Sequence, residues 1–140
     1  MSRKVYELWF RRVFGPLVEA KTLTLAIRPG DRRRPNGKGT EVGERIRVRI
    51  LEYPGHEKLG IEPIFEDIIA DAVITAITVK PIGEINEEDL VGAAPNCQTR
   101  QGVYYDLGLI YNQVFTEDDV VSLVRFRYID EKEGREDEHT

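Results

Sequence analysis

The stretch Ala20-Lys21-Thr22-Leu23-Thr24-Leu25-Ala26-Ile27-Arg28, followed at once by Pro29-Gly30-Asp31, sets the reading of the chain. Leu23, Leu25 and Ile27 alternate with Thr22, Thr24, Ala26 and Arg28, the period of two expected of a half-buried strand. Pro29-Gly30 then stops it. A second alternating run, Arg45-Ile46-Arg47-Val48-Arg49-Ile50, follows a Val42-Gly43-Glu44 turn. Its apolar face is Ile46, Val48 and Ile50, so Arg45, Arg47 and Arg49 line the other face as a row of three cations. Between the strands lies an exposed loop, Pro29 to Gly39, carrying Arg32, Arg33, Arg34 and Lys38. With its prolines and glycines it builds no core, and its arginines suit bidentate contact with phosphate.

A lysine-threonine strand, a Val-Gly-acid turn and a second strand, in that order, resemble the ASCH superfamily. The resemblance implies an α+β fold: a small PUA-like/ASCH β-barrel of about five to six strands flanked by two to three helices. Two activities are implied by it. One is nucleic-acid binding, RNA above all, in a cleft between barrel and helices lined by Lys21, Thr24 and Arg28. Arg32, Arg33, Arg34 and Lys38 would hold the backbone there, and Arg45, Arg47 and Arg49 would extend the surface. The other is a nucleoside amidohydrolase acting on acetylcytidine through a Lys, a Thr and a Glu. Lys21 and Thr24 fill the first two positions, as base and hydroxyl. The arginine of that strand is Ala26 here, with Arg28 one pleat step on, and the Asn96-Cys97-Gln98-Thr99 connector holds no glutamate. Nucleic-acid binding is the favoured reading.

Composition narrows the classes. At 140 residues, 41% hydrophobic and 32% charged, the chain reads as one globular domain over residues 1–129. Residues 130–140 form an acidic tail expected to be disordered, with six acids against two bases. Residues 1–50 carry thirteen Lys and Arg against five Asp and Glu, so the net charge of −5 conceals a basic first half. No apolar run reaches the ~20 residues needed to span a bilayer. The sequence therefore predicts a cytoplasmic protein without membrane contact. One cysteine and two histidines leave no disulfide and no expected metal or other cofactor. A lone Cys97 without a nearby histidine reads as inert.

The remaining elements follow from pattern. Val5 to Val18 reads as a helix, with Leu8, Val13 and Leu17 on one stripe, Trp9, Phe10 and Phe14 as core aromatics, and Gly15-Pro16 as an interruption. Ile64 to Ile82 reads as one long bent strand or two. Asn86 reads as the N-cap of a short helix. Thr99 or Arg100 to Phe115 reads as a helix, bearing Tyr104 and Tyr105 as candidate base-stacking residues. Val120 to Ile129 reads as the closing strand, with both of its alternating faces apolar enough to point inward.

Overall fold

The computed structural model describes residues 5–34 and 39–129, so Lys38 and the acidic tail lie outside the described residues. Five strands form one sheet: β1 (Tyr6–Arg11), β2 (Leu25–Pro29), β3 (Arg45–Tyr53), β4 (Ile64–Pro81) and β5 (Val120–Tyr128). Two α-helices accompany them, α1 (Gly15–Glu19) and α2 (Arg100–Tyr111). The spatial order β1-β3-β4-β5-β2 puts the first two strands of the chain at opposite edges. Curling of the sheet into a half-barrel then brings those edges back toward each other. Strand β1 runs parallel to β3, and the other neighbours are antiparallel.

The predicted helix over Val5–Val18 is corrected by the structure. Its first part is β1, in which Leu8 and Phe10 are buried while Glu7, Trp9 and Arg11 face away. Six residues with large side chains at both parities fit either period, and the ladder with β3, pairing Tyr6 with Ile46 through Arg11 with Leu51, decides for the strand. Pro16 stands in the first turn of α1, where its missing amide costs nothing, so it starts a helix where the sequence suggested a break.

Strand β4 is continuous over 18 residues because it serves two neighbours, β3 along its first half and β5 along its second. A register shift between Ile74 and Ala76 marks the bend. The interior of the curl holds Leu8, Phe10, Ile46, Val48, Ile50, Ile74, Val124 and Phe126. A second core lies on the other side of β2 and β5, where Leu25, Ile27, Val121 and Leu123 pack against Val103 and Leu107 of α2. Strands β2 and β5 are thus buried on both faces over part of their length, which is why Val121 to Val124 of β5 are buried in succession and why β2 is more than half-buried.

Local signals place α2. Thr99 caps it, Oγ1 accepting from the Gly102 N–H at 3.1 Å. It ends at Tyr111, four residues earlier than expected, because Asn112 takes the left-handed conformation at φ 51°. The predicted helix at Asn86 is a single 3-10 turn, Glu87–Leu90, whose Asp89 accepts from the Asn86 N–H at 2.9 Å and from Lys80 Nζ at 2.9 Å. No helix among the described residues is long and apolar enough to cross a membrane.

A candidate ligand cleft at the barrel seam

Where β1 and β2 face each other no backbone ladder closes the barrel. Side chains span the gap. Arg28, at the end of β2, donates from Nη2 to the Trp9 carbonyl at 2.8 Å and from Nη1 to the Ile27 carbonyl at 3.0 Å. Its guanidinium also lies over the Phe10 ring, 5.1 Å from the centroid. Arg11, at the end of β1, pairs with Asp106 of α2. Asp106 is nearly enclosed and also accepts from Asn96 Nδ2 at 2.9 Å.

These contacts outline a cleft of about 330 Å³ between the two edges, roofed by α2 and floored by Leu23, Leu25 and Phe10. Its polar groups are Glu7, Arg11, Arg28, Arg32, Asp106 and Cys97, and Tyr6 and Tyr111 add aromatic walls. A concave, mostly apolar pocket with a few convergent polar groups is the usual form of a small-ligand site. Burial pushes the Arg28 guanidinium below its ordinary value, with Arg32 acting in the same sense against Tyr111, Tyr6 and Asp106. Burial, reinforced by Asp106, pushes the Cys97 thiol up to about 12. It therefore stays protonated and offers no thiolate nucleophile at neutral pH. Among the described residues, no group of three His, Cys, Asp or Glu is placed to hold a metal ion.

The candidate residues from the sequence separate into groups. Arg28 and Arg32 meet at the cleft. Lys21 does not border it: it is exposed in the turn after α1, in a left-handed backbone conformation at φ 61°, its N–H bonded to the Val18 carbonyl at 3.0 Å. Thr24 is also absent from the lining. Its N–H donates to the Gly92 carbonyl at 2.9 Å, and its hydroxyl is pressed against Gly92. No hydrogen bond joins Lys21 to Thr24 among the described residues.

Two arginines of the basic loop, Arg33 and Arg34, are held by carboxylates of their own chain. Arg33 grips Asp31 through Nε and Nη2 at 2.9 and 2.8 Å, and this fork holds the Asp31 carboxyl at about 2. Arg34 grips Glu44 at 3.2 and 2.6 Å, and the enclosed Thr40 hydroxyl joins the same carboxylate at 2.7 Å. Desolvation opposes ionisation of Glu44, but those bonds win and keep its pKa below the ordinary value. On the outer face of β3, Arg47 meets Asp71 at 3.7 Å, Arg49 meets Glu7 at 3.9 Å, and Arg45 is engaged as well. Of the predicted nucleic-acid contacts that the structure describes, Arg33, Arg34, Arg47 and Arg49 pair with a carboxylate, and Lys21, Arg28 and Arg32 form no salt bridge among the described residues. Lys38 falls outside the described residues.

Asp106 is the residue that the sequence reading missed. The signal was present, since Val103, Asp106, Leu107 and Ile110 fall at i, i+3, i+4 and i+7 of α2, an acid in an apolar stripe. It lies beside the connector in which no glutamate could be found. Tyr104 is half-buried against the second core, and Tyr105 stands exposed on α2; neither borders the cleft.

No protein-family model and no curated protein matches the sequence. Solved structures do match in fold, among them the following two. An Enterococcus faecalis V583 protein of the DUF984 family superposes with a TM-score of 0.54 at 15% identity, covering 93% of this chain and 84% of that one. An ASCH domain from Lactobacillus crispatus JV V101 superposes with a TM-score of 0.50 at 13% identity, covering 83% of this chain and 70% of that one. The fold is ASCH-like: a curled five-stranded half-barrel with two helices, as the resemblance implied.

Proposed function

We propose that the protein binds nucleic acid, RNA in particular, through the seam cleft and the cations at its mouth. One observation carries the reading. Arg33, Arg34, Arg47 and Arg49 are each paired with a carboxylate, whereas Arg28 and Arg32 converge on an aromatic-walled cleft and form no salt bridge among the described residues, with Glu7 and Asp106 elsewhere in its lining. Cations without a direct ion-pair partner beside a pocket attract an anionic ligand, and Arg matches phosphate by a planar fork. A volume of about 330 Å³ suits one nucleotide unit better than a duplex. The electrostatic footprint is accordingly narrower than a basic loop and a row of three arginines would make it. Deacetylation of acetylcytidine through Lys21 and Thr24 draws no comparable support, since both side chains stand away from the cleft.

The test is binding of labelled RNA across a salt series, for the wild type and for Arg32→Ala, Arg33→Ala and Arg34→Ala. Arg32→Ala should weaken binding and lower the salt slope by about 1, the signature of one lost phosphate contact. Arg33→Ala and Arg34→Ala should leave both nearly unchanged. Absence of binding at low salt refutes the proposal, and equal losses in all three variants return the contact to the loop as a whole.

A further inference from the structure

From the arrangement around Trp9 we infer a base-stacking subsite on the outer face of β1, specific for an unpaired nucleobase of a single-stranded segment. The inference rests on the nucleic-acid reading of the cleft and names what lies next to it. Trp9 is the chain's single tryptophan and remains 43% exposed although it sits inside a strand. Its ring is nonetheless held in place. Nε1 donates to Glu7 Oε1 at 2.8 Å, and Phe65 meets it in a T-shaped pair at 5.0 Å and 73°. Arg49 braces Phe65 in turn, its guanidinium 3.9 Å from the ring centroid. An aromatic surface fixed before the ligand arrives loses little conformational entropy on binding.

The link to the cleft is direct. The Trp9 carbonyl is the acceptor for Arg28 Nη2, so the candidate phosphate-binding cation of β2 is anchored to the backbone of the residue that carries the indole. A chain whose phosphate meets Arg28 carries its neighbouring base over the rim toward the indole. Stacking needs a free π-face, which a base inside a duplex does not offer. The subsite therefore selects single strands. Sugar type is not read by an indole, so RNA and DNA single strands share the chemistry.

Trp9 also reports its own occupancy. Titration with a single-stranded RNA dodecamer, its DNA counterpart and the matched RNA duplex should be followed by Trp9 emission and, with labelled strands, by anisotropy. Single-stranded RNA is expected to quench the emission with the same midpoint that anisotropy gives, and the duplex is expected not to. Quenching by the DNA strand as well identifies the ligand as single-stranded nucleic acid of either sugar; quenching by RNA alone assigns sugar recognition to the cleft. Trp9→Leu should weaken binding about five- to a hundredfold, the span of a lost base–aromatic stack. Trp9→Phe, which keeps a ring against Phe65, should restore most of it and guards against misfolding of the leucine variant. Anisotropy binding with unchanged emission, equal quenching by the duplex, or wild-type affinity in Trp9→Leu overturns the stacking subsite while leaving the cleft proposal standing. No binding by any strand removes both.

Discussion

Replacing Gly92 by alanine should destabilise the protein through one identifiable contact, and that contact can be removed independently. Gly92 adopts φ +91°, and a methyl group built there would lie 2.2 Å from Thr24 Oγ1. The backbone cannot easily yield, because the Gly92 carbonyl accepts from both Thr24 and Leu25, at 2.9 and 3.2 Å. Thr24 is β-branched and stiff at χ1, so its hydroxyl does not swing clear cheaply. The positive φ costs alanine about 1–2 kcal/mol, and the overpacked contact adds about 1–3 kcal/mol. A total of about 3 kcal/mol would lower a urea midpoint by about 1.5 M at an m-value of about 2 kcal/mol/M. With Thr24→Ala already present, the nearest remaining Thr24 atom is Cβ at 3.6 Å, an ordinary contact. Gly92→Ala should then cost only its backbone share, giving a coupling of about 1–3 kcal/mol in the double-mutant cycle. Purely additive costs would refute the reasoning and free the Thr24 hydroxyl from the structural role assigned to it.

Asp106→Ala removes the acceptor shared by Arg11 and Asn96. It should cost about 2 kcal/mol, less than a fully buried pair because Arg11 is part exposed and can rehydrate. Thermal unfolding should show a drop of several degrees, and an unchanged midpoint would mean the pair holds nothing together. Cys97 gives a pH dependence. Its folded pKa of about 12 stands above the ordinary 9.0, so the unfolded chain loses the proton first. Its contribution is complete below 9.0 and is lost as pH rises toward 12. Cys97→Ala should flatten the alkaline limb of stability against pH, and alkylation of the native thiol at pH 8 should be slow until the protein unfolds. Rapid alkylation of the folded protein would contradict its burial.

The strand pattern of β2, β3 and β5, the start of α2 and the acid–asparagine turn at Asn86 were legible because each depends on residues within a few positions. The ASCH-like order was legible for the same reason. Strand β1 was not. Its six residues carry large side chains at both parities, and the parallel ladder to β3, about forty residues away, decided between helix and strand. The end of α2 turned on one asparagine entering the left-handed region, a local event that a continuing apolar stripe obscures.

The candidate site was read less well than the fold. Counting cations located basic segments correctly but could not reveal which charges were already satisfied. Arg33 and Asp31 are two positions apart, and Arg34 reaches Glu44 across the described ends of the loop, so loop geometry neutralises what composition left basic. Arg11 and Asp106 stand 95 positions apart and meet only because the curled sheet brings β1 under α2. The sequence by itself determined periodicity, caps and turn chemistry, all set by the neighbours of each residue. Tertiary structure alone decided the cleft, its two arginines without a salt-bridge partner among the described residues and its enclosed acid, because electrostatic partners are chosen by distance in space, and the closing of the barrel seam sets that distance.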